Sequence, residues 1–145
     1  QDLIPELQFA MNIAYNHYDL KVAAMAELSR VELSEAMASI FEEADFVFSA
    51  VNPDVAFAAE GPVSTSVDGR DLVSEIGIEA ALANNGALTI PANMEGNPAI
   101  SLPIGTHDGL PVGMQVMARH HREDLLLDIA LLAERIMPWP LTAPT

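Results

Sequence analysis

The chain contains no cysteine, a single lysine at Lys21, and 6 basic residues in all among its 145. Without cysteine there are no disulfides, no thiolate metal sites and no cysteine nucleophile. Against those 6 basic residues stand 21 acidic ones, giving a net charge of −15. Such a charge opposes direct contact with the phosphate backbone of nucleic acid or with an anionic membrane surface. No apolar run approaches the roughly 18 to 20 residues needed to span a bilayer. Gln1 to Glu6 lack the basic start of a signal peptide, so a soluble, cytoplasmic protein is expected. The first residue is not Met and helical pattern follows at once, which leads to the expectation that the chain begins inside a longer polypeptide.

What is present is an apolar half, 50% of the residues, enough for a substantial core in one domain. Helical spacing runs from Leu3 to about Leu28, through Leu7, Met11, Ala14, Tyr15, Leu20, Ala23 and Ala24. Ser29 followed by Glu32 has the form of a capping box, and Leu33, Met37, Ile40, Phe41 and Ala44 make one stripe, which predicts a helix over Arg30 to Glu43. Asp45 to Val51 reads as a buried strand. Residues 52–70 carry too many breakers for a regular element, and a helix is expected over Asp71 to Asn84, weakened by Gly77 and stopped by Asn84-Asn85-Gly86. Strands are expected at Ala99 to Ile104 and Val112 to Ala118, joined by turn chemistry at Thr106 to Gly109. Pro103 withdraws a ladder donor and so marks an edge, an end or a bulge. Arg122 to Ile136 closes the pattern as a helix, with Glu123 and Asp124 in its first turn and Arg135 in its last. Its leucines cover much of its circumference, so it needs cover on more than one side. About three strands serve many apolar helices, which makes the chain look like part of a larger α/β sheet.

One stretch is unusually specific. Thr89, Asn93, Gly96, Pro98, Ala99, Ser101, Pro103, Gly105, Gly109, Leu110, Pro111, Gly113 and Gln115 follow one another in fixed order, ahead of a Leu- and Ala-rich helix with an acidic start. This pattern resembles the C-terminal section of the amidase signature family. The resemblance is strongest over residues 89–137 and extends more loosely back to Ser29. Around residues 49–53 it departs from the family, because Ser49-Ala50-Val51-Asn52-Pro53 replaces the usual Thr-Pro-Thr style of the loop.

The resemblance implies an α/β/α sandwich around a mixed sheet, with residues 1–145 as its C-terminal portion. It implies amide hydrolysis by a Ser/Ser/Lys triad: an activated serine attacks the carbonyl, a second serine and a lysine relay protons, and backbone N–H groups hold the oxyanion. No metal or organic cofactor is implied. The Gly/Ser-rich region that carries the triad does not occur in these residues, nor does a Gly-x-Ser-x-Gly elbow. Ser101 has no base in its sequence neighbourhood, and Lys21 reads as a surface residue of an Ala-rich helix. An isolated chain is therefore expected to be inactive, with the remainder of the polypeptide as its partner and a small-molecule amide as the substrate. No nucleic acid or membrane partner is expected, and a homo-oligomer is compatible with the sequence.

Gly96, Pro98, Pro103, Gly105, Gly109, Pro111 and Gly113 are expected to shape backbone, with Ser101 and Gln115 completing the motif. The resemblance implies that Asn93 and Asn97 lie near the substrate channel, where an amide side chain could bind substrate. The alternative is that both hold the turn through side-chain to backbone bonds. His120, His121, Glu123 and Asp124 have some metal-site spacing, but adjacent histidines between Arg119 and Arg122 read better as a polar lead-in to the helix. His17 and His107 have no evident partner, and the methionines read as core. Two rival readings remain: the A subunit of a tRNA-dependent amidotransferase, and a noncatalytic binding or scaffold module.

Overall fold

A computed structural model describes residues 4–60 and 63–140 of the chain. It divides into two compact units, Gln1–Ala38 and Ser39–Thr145. The first holds α1 (Pro5–His17) and most of α2 (Leu20–Glu43). The expected start at Leu3 lies outside the described residues. Where the sequence suggests one helix to Leu28 and a second from Arg30, the break falls instead at Tyr18-Asp19. Asp19 is the residue that caps: its carboxylate accepts the Val22 N–H at 2.8 Å, one of the donors a helix start leaves unpaired. Ser29 sits inside α2, exposed, because no breaker separates it from the apolar residues on either side. A capping-box pattern has force only where the backbone actually starts a helix.

The second unit is built on three strands, β1 (Phe46–Ala50), β4 (Ala99–His107) and β5 (Leu110–Ala118), in the order β1-β5-β4. Both pairings are antiparallel, with Phe48 opposite Val116 and Ser101 opposite Gln115. The β4–β5 strands run longer than their pattern suggested, since only Asp108 and Gly109 turn the chain, at φ of 51° and 79°. Two successive positive φ values are the signature of a tight type I′ hairpin, whose twist matches that of the strands. Asp68-Gly69 repeats the device at 49° and 74°, making a small hairpin of β2 (Ser66–Val67) and β3 (Arg70–Asp71) in the stretch expected to be loop.

The helix expected over 71–84 is interrupted at Gly77 into α3 (Leu72–Ile76) and α4 (Ile78–Ala83), followed by a 3₁₀ turn at Asn84–Gly86. Asp71 starts α3 by accepting from the Val73 N–H, and the Ser74 hydroxyl also donates to its carboxylate. These bonds hold the Asp71 carboxyl below the usual range, the Ser74 bond most strongly. A further helix, α5 (Ile90–Glu95), was not expected, although Pro91 in its first turn is a start signal.

The core lies between the sheet and α6 (Glu123–Ile136). Leu126, Ile129, Ala130 and Ala133, spaced i, i+3, i+4 and i+7, pack with Leu102, Val116 and Ala118. Full burial of a Leu or Val is worth about 1.5–3 kcal/mol, so these few residues anchor the unit. Gln115 and Met117 are buried on the opposite face of the sheet, so the end of β5 is covered on both sides, as its central place in the sheet requires. The flanks of α6 stay open: Leu127 is 65% exposed and Ile136 68%. Among the described residues no helix is long and apolar enough to cross a membrane.

Candidate functional site

The family-like residues form a plate made of α5, a tight turn, and the β4–β5 hairpin. At Gly96 the chain takes a left-handed conformation (φ 74°), which lets the Gly96 and Asn97 N–H groups both donate to the Ala92 carbonyl, at 2.8 and 3.1 Å. This satisfies a carbonyl that the end of α5 would otherwise leave bare, and it costs glycine little. The turn aims Asn97 inward. Its side chain is buried at 8% exposure, and its amide nitrogen donates to the Ala118 carbonyl at 3.1 Å. The Ala118 N–H in turn donates to the Pro98 carbonyl at 3.0 Å, so Asn97 and Pro98 together clamp the end of β5. The Asn97 side-chain oxygen is enclosed with no hydrogen-bond partner among the described residues. Exchanging the two amide atoms would set that oxygen against the Ala118 carbonyl, so the bonding fixes the orientation. Asn93 lies on α5, exposed, with its amide nitrogen donating to the Thr89 carbonyl at 3.0 Å. The Asn97 bond ties the turn to the end of β5, whereas the Asn93 bond stays at the start of α5.

Further along, the residues act by shape and by one cross-layer bond. Pro103 lies opposite Gly113, and a bulge between Pro103 and Gly105 shifts the register. Up to that bulge Ile100 and Leu102 face the core, and Ile104, the extra residue within it, is exposed. A Cβ on Gly113 would lie 2.9 Å from the Ser101 hydroxyl oxygen and 2.9 Å from a Val51 methyl, so a larger residue there would have to push both side chains aside. Pro111 sits opposite Thr106, beyond the part of β5 that pairs with β1, where a missing donor is tolerated. Gln115 is buried and donates from its amide to the Ser49 hydroxyl at 3.1 Å and to the Leu88 carbonyl at 2.8 Å. That pair of bonds fastens the segment ahead of α5 to the sheet.

This plate presents no assembled nucleophile. The Ser49 hydroxyl donates to the Ala50 carbonyl, and the Ser64 hydroxyl bonds to Ser66. Among the described residues no serine hydroxyl is bonded to a histidine or lysine. Lys21 lies exposed on α2. His120 and His121 are exposed with ring centroids 6.2 Å apart, and Arg122 pairs with Asp124 at 3.0 Å at the start of α6. The Arg122 guanidinium bonded to Asp124 holds that carboxyl below its ordinary range. Among the described residues no group of three or more His, Cys, Asp or Glu side chains has the geometry to hold a metal ion.

Residues 52–70 carry no motif that singled them out, yet described residues between 52 and 67 supply most of the lining of a small, solvent-open groove beyond the end of β1. Asp54 lines it, with its carboxylate accepting the Val55 N–H at 2.7 Å and the Asp68 N–H at 2.9 Å. These backbone bonds, the Val55 one first, hold the Asp54 carboxyl below its ordinary range. The available signal was the Asp68-Gly69 dipeptide, which brings Asp68 back beside Asp54.

The order and geometry of this plate agree with what comparison with known proteins finds. The family model described as Amidase matches residues 4–127, and the chain belongs to that family. It is 51% identical over 59 residues to the 6-aminohexanoate-cyclic-dimer hydrolase of Pseudomonas sp. (strain NK87), a match covering 40% of this chain and 12% of that protein. It is 30% identical over 105 residues to the A subunit of the glutamyl-tRNA(Gln) amidotransferase of Listeria monocytogenes serotype 4a (strain HCC23), covering 72% of this chain and 19% of the relative. The crystal structure of a bacterial aryl acylamidase of the amidase signature family superposes with a TM-score of 0.72 at 21% identity, over 94% of this chain and 27% of that one. That likeness shows the α/β amidase signature fold. The chain spans well under a third of the length of each of these proteins.

Proposed function

We propose that these residues are the C-terminal part of a cytoplasmic amide hydrolase of the Ser/Ser/Lys type, converting a carboxylic amide and water to an acid and ammonia or an amine. The catalytic groups are carried by polypeptide outside the 145 residues, and the chain alone is inactive. The observation that carries this reading is the 51% identity over 59 residues with a 6-aminohexanoate-cyclic-dimer hydrolase, joined to a plate in which Gly113, Asn97 and Gln115 are committed to backbone shape and structural bonds. A serine nucleophile needs a base and oxyanion donors placed around the reacting carbonyl. This chain supplies the wall against which such a site is built. Within that wall, Asn93 is the better placed of the two asparagines for substrate contact: it is exposed, and its side-chain oxygen remains free to accept an amide N–H while its nitrogen is held by Thr89. Asn97, enclosed and clamped to β5, serves to position the turn. The test is ammonia or amine release from small amides, including cyclic amides of aminohexanoate, by the 145-residue chain and by the protein extended on its N-terminal side. Turnover by the extended protein alone supports the proposal; turnover by the 145 residues alone refutes it.

A second reading is favoured by the longer match with the amidotransferase relative, over 72% of this chain. Under it, the extended protein would supply ammonia to a misacylated tRNA held by partner proteins. Ammonia transfer that appears only with such partners would select this reading over simple hydrolysis.

A further inference from the structure

We propose that Gln115 is a positioning residue for Asn93: its buried amide fixes where α5 starts on the sheet, and so where the exposed Asn93 side chain stands. α5 has 6 residues, too few to hold a helix in place by its own hydrogen bonds, and Pro91 in its first turn brings no N–H. Its position therefore comes from bonds to other elements. Two side-chain amides tie its ends to β5. At the far end Asn97 donates to the Ala118 carbonyl at 3.1 Å, and at the start the Gln115 amide nitrogen donates to the Leu88 carbonyl at 2.8 Å. A carbonyl can only accept, so the nitrogen of the Gln115 amide must be the atom that faces Leu88. Between the two ties Ala92 is buried, while Asn93 is exposed.

The tie at the start acts on a single peptide plane. The Leu88 carbonyl and the Thr89 N–H belong to one planar unit. The carbonyl accepts from Gln115 and the N–H donates to the Gly86 carbonyl at 3.0 Å, so the plane is gripped on both edges. Gly86 lies in the same short segment, and it is the Gln115 bond that refers the plane to the sheet. One carbonyl further on, Thr89 accepts from Asn93 twice, from its backbone N–H at 3.3 Å and from its side-chain nitrogen at 3.0 Å. Gln115 is itself anchored, since its amide also donates to the Ser49 hydroxyl on β1 and its strand is the central one of the three. A side chain referred to a central strand is held more precisely than one referred to a loop. The substrate role of Asn93 belongs to the hydrolase reading, on which this role of Gln115 rests, whereas the coupling between the two residues stands without it.

Two measurements test this. In NMR of the isotopically labelled 145-residue chain, Gln115→Met, which keeps the side-chain length but has no donor, is expected to move the Asn93 side-chain resonances and to speed hydrogen exchange in α5. Ser49→Ala leaves the Leu88 bond in place and is expected to leave the Asn93 resonances where they were. Unmoved resonances in Gln115→Met, or equal shifts in the two variants, would overturn the proposal. Should the methionine variant fail to fold, Gln115→Glu decides: its carboxyl, pushed up by burial, donates one O–H to Leu88 when protonated and none when ionised. Its Asn93 resonances are then expected near the parent's at about pH 5 and displaced by about pH 8, and a pH response no different from the parent's would overturn the proposal. In the N-terminally extended protein, with the 6-aminohexanoate cyclic dimer as substrate, Asn93→Ala and Gln115→Met are each expected to raise KM by about threefold to tenfold with kcat little changed, and the double variant is expected to be no worse than Asn93→Ala alone. Effects that multiply, or a parental KM in Gln115→Met beside a raised one in Asn93→Ala, would overturn it. A parental KM in Asn93→Ala, or no hydrolysis at all, would instead remove the substrate role of Asn93, and the resonances of the 145-residue chain would still decide whether Gln115 places it.

Discussion

α2 and α6 are both rich in leucine and alanine, yet they are held in different ways. α6 has 14 residues and lays a continuous stripe from Leu126 to Ala133 on the sheet. α2 has 24 residues, of which Met37 and Phe41, one turn apart, are buried, while Met25, Leu28 and Val31 are largely exposed. Both sequences are good helix formers, and propensity alone gives only marginal stability to an isolated helix. Packing of one face accounts for the difference. An apolar residue stabilises only where the fold offers a surface to receive it, and the sheet beneath α6 provides one.

The largest expected effect comes from cutting into that surface. Leu126→Ala leaves a hole between α6 and the β4–β5 hairpin, and should cost about 2–5 kcal/mol in urea unfolding monitored by the fluorescence of Trp139, which packs on the same cluster. A loss well under that range would mean that α6 is held elsewhere. Gly113→Ala comes next, because its methyl would press on Ser101 and Val51 across three strands. About 1–3 kcal/mol is expected, with shifted NMR resonances in β1 and β4. Gly96→Ala forces a side chain into the left-handed region at the end of α5, an expected cost of about 1–2 kcal/mol with loss of hydrogen-exchange protection at Asn97. The smallest change sharpens the α2 side of the comparison. Ser29→Ala should be neutral or stabilise by up to about 0.5 kcal/mol, since Ser29 sits inside a continuous helix. If it capped a helix start, the same substitution would cost about 1 kcal/mol, so the sign of the change decides.

The parts of the fold that could be read in advance were those where local chemistry and tertiary context agree. The turn expected over Thr106 to Gly109 is made by its last two residues, Asp108-Gly109, and the alternation in Val112 to Met117 placed Met114 and Val116 on the core face. The first strand of that hairpin was legible only as far as Leu102. Pro103 announced an irregularity, but which residues it would turn outward depended on the bulge to Gly105. Ser29-Glu32 misled because a cap is a property of backbone conformation, and Asp19 held the bond that Ser29 only suggested. For the candidate site, the order of glycines, prolines and Gln115 was visible, while the direction of Asn97 was not. Its amide turns inward because Gly96 closes α5 and the Ala118 carbonyl at the end of β5, 21 positions beyond Asn97, needs a donor.

The order of residues was enough to set the three long strands, the closing helix, the hairpin turn and membership of a fold in which glycine and proline shape the backbone, since these rest on near-neighbour sterics and periodicity. Which helix face is buried, why a side chain at Gly113 would crowd Ser101 and Val51, and how Asp54, Ser64 and Asn85 come to edge one groove were decided only by folding in three dimensions. Those outcomes arise from distances between residues remote in sequence, and no local pattern encodes them.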